Sequence, residues 1–228
     1  MRQNQTRQTT LRIGVLASHH GTTLQAILDA CEAGTLRAQV VTVISNNSQS
    51  GAAQRAHRHA VPFAHLSGRT HPEPEALDEA IYDTLMQHDA DIVVLAGYMK
   101  KLGPRTLKHF EGRILNTHPA LLPKFGGQGM YGSRVHEAVL AAGESTTGVS
   151  IHVVDAGYDT GPVIAQCEVP VHADDTVESL AERVQTCERA FLVETLQTLS
   201  NAAPCGEQIP GGEQIRHGMQ KIKMKQND

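Results

Sequence analysis

The chain has 228 residues, of which 40% are hydrophobic and 19% charged, enough apolar material for a real core and too much for wholesale disorder. Aromatic residues are only 4%, with no Trp, so a base-stacking platform for single-stranded nucleic acid is not expected. The formal charge of −4 offers no basic footprint for nucleic acid or an anionic membrane.

The elements read in chain order as follows. LRIGVLA (11–17) is a short apolar run, a buried strand. A helix follows, with Leu24, Ile27, Leu28 and Cys31 on one face. AQVVTVIS (38–45) is β-branched and reads as a strand, 50–60 as a helix ending before Pro62, and PFAHL (62–66) as a third strand. Pro72 and Pro74 introduce a helix over 75–88, and DIVVLA (91–96) is the clearest strand. A helix over 104–110 leads to the strand RILNTH (113–118). Strand–helix alternation with near-continuous apolar strands predicts a parallel sheet covered on both faces.

The second half reads differently. A helix over 133–143 precedes two strands, 146–154 and 162–171, whose short connection predicts antiparallel pairing. A long helix over 175–199 follows, capped by Asp174 or Asp175, with Val177, Leu180, Val184 and Phe191 facing inward. The organisation expected is an extension over 1–10, one domain over 11–199, and a flexible tail over 200–228. Cys31, Cys167, Cys187 and Cys205 form no CxxC and read as free thiols of a reducing compartment. No apolar run approaches the ~18 residues of a membrane span, and the N-terminus lacks a signal-peptide core, so a cytoplasmic protein is expected.

Three segments carry chemistry. Ser18-His19-His20-Gly21-Thr22-Thr23 joins the first strand to the first helix. It reads as a monophosphate cradle at a helix N-terminus or as an ordinary turn and cap. Asn116-Thr117-His118-Pro119 ends an apolar strand, where Asn can donate to an oxyanion and His can shuttle a proton, or the His is simply structural. His152 to Pro162 joins the two late strands and carries Asp155 and Asp159, either an acid–base partner for a histidine or a polar loop with turn glycines. Lys100 and Lys101 read as a solvated face or a ligand rim. Gln185 and Glu188 share a helix face beside the apolar stripe. His57, His59 and His65 are scattered, and no metal site is expected.

Taken together, ILNTHPALLP (114–123), HVVDAGYDTGPVI (152–164), DIVVLAGYM (91–99) and ERVQTCE (182–188) resemble the phosphoribosylglycinamide formyltransferases of purine biosynthesis, over about 11–199. The resemblance implies an α/β, Rossmann-like formyltransferase fold: a mostly parallel central sheet flanked by helices, with an antiparallel C-terminal portion. It implies transfer of a formyl group from 10-formyltetrahydrofolate, a co-substrate, to the amine of glycinamide ribonucleotide, without a metal. Asn116, His118 and Asp159 match the family's catalytic trio, with Asp159 expected to hold His118 protonated. Gly21, Thr22 and Thr23 match the substrate-phosphate loop, and Gln185 and Glu188 match residues facing the ribonucleotide. Met99, Lys100, Lys101 and Leu102, with Asp155, Ala156, Gly157, Tyr158, Asp159 and Asn116, match the folate pocket.

The partners implied are small molecules, with neither nucleic acid nor membrane, and an oligomer is compatible with the sequence. Departures are the two histidines before Gly21, Thr23 in place of the family's Asn, and a longer segment over 124–139. Alternatives are a formyltetrahydrofolate hydrolase, disfavoured by the short stretch before the first strand, and a formyltransferase for another amine, such as a sugar. A tRNA-directed enzyme is disfavoured by the short polar tail. A non-catalytic nucleotide-binding module is disfavoured by the intact trio, and a dehydrogenase by the lack of GxGxxG.

Overall fold

The computed structural model describes residues 10–202. The expected extension over 1–10 and tail over 200–228 therefore fall almost wholly outside the described residues. The N-terminal half alternates strictly: β1 (Leu11–Leu16), α1 (Thr22–Glu32), β2 (Ala38–Ser45), α2 (Gly51–Arg58), β3 (Phe63–His65), α3 (Pro74–Gln87), β4 (Ile92–Leu95), α4 (Pro104–His109) and β5 (Ile114–His118). The chain continues through α5 (Ser133–Ala141), β6 (Thr146–Val153), β7 (Val163–Pro170) and α6 (Val177–Ala202).

One seven-stranded sheet runs in the order β3-β2-β1-β4-β5-β6-β7. Strands β1 to β5 pair in parallel, whereas β6 is antiparallel to both β5 and β7. This matches the expected mostly parallel sheet with an antiparallel C-terminal portion. The strand order reverses between β1 and β4, the place where open α/β sheets leave a crevice.

Alternation along the strands feeds two cores. Val15, Val94 and Leu115 join Leu24 and Ile27 of α1 and Leu180, Val184 and Leu192 of α6 on one face. Leu16, Val93 and Ile114 join Ile81 and Leu85 of α3 on the other. Burial of the strands on both faces explains why they read as continuous apolar runs.

The N-terminus of α6 differs from expectation. Thr176 Oγ1 accepts from the Ser179 N–H at 3.2 Å, and Ser179 Oγ accepts from the Thr176 N–H at 3.0 Å. Thr176, not Asp174 or Asp175, is thus the capping residue. Asp175 instead forms a two-point ion pair with Arg183, with both contacts at 2.7 Å. A guanidinium fork offered about two turns into the helix, together with the His172 N–H at 2.7 Å, occupies this carboxylate in place of the helix N-terminus.

Candidate active site

Strand β5 ends in Asn116-Thr117-His118, and the pleat sends Asn116 and His118 to one face and Thr117 to the other. Antiparallel register sets Asn116 opposite His152 of β6, on the same face. Asn116 Nδ2 lies 3.0 Å from His152 Nε2, while His152 Nδ1 lies 3.0 Å from the carbonyl of Val153. The β6–β7 connection then carries Asp159 back over the strand ends. Its carboxylate stands 3.4 Å from His118 Nδ1 and 3.4 Å from His152 Nε2, and accepts the Gly127 N–H at 3.0 Å. His118 Nε2 donates to the carbonyl of Phe125 at 2.8 Å. The structure therefore brings Asn116, His118 and Asp159 together, and adds His152 between them.

Two residues that hold His118 have uncommon backbones. Phe125 has φ 56° and Asp159 φ 55°, in the left-handed region that side chains disfavour. Such strain persists where the surroundings over-determine it, and it is concentrated at functional sites. Here the loop after β5 and the loop after β6 both bend to face one imidazole.

Burial dominates the electrostatics of His118. It pushes the imidazole below its ordinary value, despite the opposing pull of Asp159 and of the Phe125 carbonyl; His152 adds to the lowering. The expectation that Asp159 keeps this ring protonated is corrected on that point: the carboxylate acts in the expected direction but is outweighed by desolvation. Asp159 behaves oppositely. Burial would raise its carboxyl, yet the contact with His152, the Gly127 N–H and the nearby imidazoles hold it below the ordinary value. The resting pair at neutral pH is therefore a neutral imidazole beside a carboxylate. His136 of α5 is also buried and lowered, by burial and by His118.

Thr117 points to the opposite face, where α1 and α6 pack. Its hydroxyl donates to Glu188 Oε1 at 2.8 Å, and the Thr23 hydroxyl donates to the same oxygen at 3.2 Å. Glu188 keeps part of its surface accessible, but its carboxyl is hemmed in by the protein, and burial raises it against the pull of both hydroxyls. This links the strand carrying Asn116 and His118 to the first turn of α1. Gln185, one turn earlier on α6, is exposed.

The turn before α1 needs glycine. Gly21 has φ 70°, and a Cβ there would come within 2.8 Å of Ala52 Cα at the start of α2. Gly21 leads directly into the helix with no side-chain cap, so the first N–H groups of α1 point outward. Thr22 is exposed, while Thr23 turns inward to Glu188. The arrangement suits an anion, but with one outward hydroxyl rather than two. His19 and His20 flank it, exposed.

The crevice between β1 and β4 is closed below by Ser18, whose Oγ accepts the Met99 N–H at 2.9 Å. Met99, Lys100 and Lys101 are exposed, and Leu102 is buried. Lys101 Nζ reaches the Ala156 carbonyl at 3.0 Å and sits 4.1 Å above the Tyr158 ring. The loops 99–102 and 155–159, assigned from sequence to one pocket, are thus in contact. Asp155 serves its own loop, accepting from the Gly157 N–H at 2.9 Å and the Thr160 hydroxyl at 2.6 Å. An open hollow of about 440 Å³ lined by Leu140, Glu144, His172 and Asp175 lies elsewhere and contains none of the motif residues. Among the described residues, no group of three or more His, Cys, Asp or Glu side chains is placed to hold a metal ion.

Sequence reasoning named His152 only as the start of a motif. Its place depends on register with β5, for which no local sequence signal exists. The hydroxyl–carboxyl link of Thr23, Thr117 and Glu188 was equally illegible, since its members lie up to 165 positions apart.

Residues 11–196 match the family model described as formyl transferase. A phosphoribosylglycinamide formyltransferase of Mycobacterium tuberculosis is 44% identical over 189 residues, covering 83% of this chain and 85% of the relative. A chloroplastic phosphoribosylglycinamide formyltransferase of Vigna unguiculata is 40% identical over 199 residues, and the match spans 87% of this chain but 62% of that relative. The crystal structure of phosphoribosylglycinamide formyltransferase from Bacillus halodurans superposes with a TM-score of 0.78 at 37% identity, covering 85% of this chain and 97% of that one.

Proposed function

Because the chain belongs to the formyl transferase family, we propose that it transfers the formyl group of 10-formyltetrahydrofolate to the primary amine of glycinamide ribonucleotide, a step of purine biosynthesis. The observation that carries the reading is the convergence of Asn116, His118 and Asp159 at the carboxyl end of β5. The identity shared with relatives named for this activity supports the choice of acceptor.

In this reaction the amine attacks the formyl carbon and forms a tetrahedral intermediate bearing an oxyanion. The Asn116 carboxamide, pinned by His152, offers an N–H to that oxygen. One such donor is worth on the order of 10²–10³ in rate. The amine must lose a proton before the bond from carbon to the folate nitrogen breaks. Neutral His118 is in the form that can take it. Proton uptake puts an N–H on Nδ1, 3.4 Å from the Asp159 carboxylate, which favours the imidazolium as it arises. The imidazolium then supplies a proton to the departing folate nitrogen, and the site returns to its starting state. The outward N–H groups after Gly21 suit the substrate phosphate, Gln185 and Glu188 are assigned to the ribonucleotide, and the loops 99–102 and 155–159 to the folate.

The test is a formyl-transfer assay with a panel of amine acceptors, paired with thermal unfolding. Glycinamide ribonucleotide should be the preferred acceptor and should protect the protein against unfolding, and its dephosphorylated form should protect far less. Equal protection by both compounds would remove the phosphate assignment. Preference for a sugar amine, or release of formate without an acceptor, would overturn the reaction itself.

A further inference from the structure

Two of the four cysteines meet across the sheet edge. Cys167 stands on β7 and Cys187 on α6, and both pack partly buried against the same core cluster. The Cys187 thiol donates to Cys167 Sγ at 2.8 Å. A disulfide needs about 2.05 Å, so the two sulfurs must close by less than about 1 Å. Both remain partly accessible to a small oxidant, and Cys187 lies immediately before Glu188 in the chain. Neither sulfur takes part in the chemistry of Asn116, His118 and Asp159.

We propose that Cys167 and Cys187 form a reversible oxidation site, closing to an intramolecular disulfide by exchange with a low-molecular-weight disulfide. The roles of the two sulfurs are unequal. Cys187 is the donor of the pair and Cys167 the acceptor, which makes Cys167 the attacking sulfur. Burial, with the neighbouring Cys167, holds the Cys187 thiol up at about 12, so it keeps its proton until the second step. Cys167 attacks one sulfur of the oxidant, forms a mixed disulfide and releases one thiolate. Cys187 then attacks Cys167 Sγ, gives its proton to the thiolate already released, and expels the second, which takes up from water the proton that Cys167 gave to water before its attack. The protein dithiol loses two electrons and two protons, and the oxidant becomes two thiols. Cys31 offers a contrast: among the described residues no cysteine bonds to it, and burial raises it to about 11.

The test treats the full chain with oxidised glutathione, alkylates the remaining thiols and maps the peptides by mass. The expected product has lost two of its four alkylatable thiols. It is lighter by two hydrogens before alkylation, carries a Cys167–Cys187 cross-link, and reverts on reduction. Cys187→Ser should stop at a glutathione adduct on Cys167. Retention of all four thiols, separate adducts on Cys167 and Cys187, or a cross-link mapped to another pair would each overturn the proposal. The wild-type map decides the question alone should the variant fail to fold.

Discussion

Asp159 sits where two demands meet: it must occupy a left-handed backbone and it must present a carboxylate to two imidazoles. Asn tolerates that backbone and its Oδ1 can still accept the Gly127 N–H, so Asp159→Asn should keep the fold. Turnover at saturating donor should fall by about 10²-fold or more. The pH profile should also move. Asp159 pulls the His118 pKa upward against burial, so its loss lowers that pKa further and shifts the surviving activity toward lower pH. Stability carries the same signature. A carboxyl held below its ordinary value contributes stability that is present above the unfolded-state pKa and fades as pH falls through the folded one. Equilibrium unfolding followed against pH should therefore show a shallower acid limb in the variant. A folded variant with wild-type turnover and pH dependence would reduce Asp159 to a loop residue.

Among the elements, α4 shows how a short helix is held by a distant one. It has only six residues, begins with Pro104 at its first position and has no side-chain cap of its own. Asp78 of α3 supplies one, accepting the Arg105 N–H at 2.7 Å, the Thr106 N–H at 3.1 Å and the Thr106 hydroxyl at 2.6 Å. Asp78 and Thr106 are both buried, so removal of the acceptor strands donors away from water. Asp78→Ala should cost about 2–4 kcal/mol in denaturant-induced unfolding, the scale of a lost buried network, and Asp78→Asn distinctly less. An Ala variant within about 0.5 kcal/mol of wild type, the range of an ordinary surface change, would show that α4 needs no such cap. The effect should be on stability rather than on turnover, because α4 contributes no residue to the site.

For the whole molecule, every residue placed in the site lies between Ser18 and Glu188, and α6 continues beyond it. That last stretch is tied back to the α1–β2 connection: Gln197 Nε2 donates to the Thr35 carbonyl at 2.8 Å, and the Arg37 guanidinium bonds the Ser200 carbonyl. Truncation after Ala202 keeps these ties and every site residue among the described ones. Such a protein should retain turnover within a few-fold, measured at saturating substrates, because every residue placed in the site above remains. A folded truncate without activity would place part of the site in the residues beyond 202. A truncation before Gln197 should instead loosen α6 and lower the thermal midpoint.

Local information sufficed wherever a pattern repeats within one element. The strand over 38–45 was legible to the residue, because β-branched, apolar positions bounded by polar ones admit only one reading. The trio's members were legible as residue types in family-like segments, and Gly21 as part of the loop opening the first helix, whereas its left-handed backbone and close approach to Ala52 were not. Nor was the meeting of the trio. Asn116 and Asp159 are brought within reach of His152 by the β5–β6 register and by the return of the β6–β7 connection, and register is a property of paired strands. The charge state of His118 was likewise beyond the sequence, because it depends on how completely the fold removes water from the ring, and that desolvation outweighs the carboxylate beside it. The elements, their order and the chemical groups available follow from local patterns of residues; which groups share a face, which donors are spent internally and which protonation state rests at the site follow from strand pairing and from the exclusion of water.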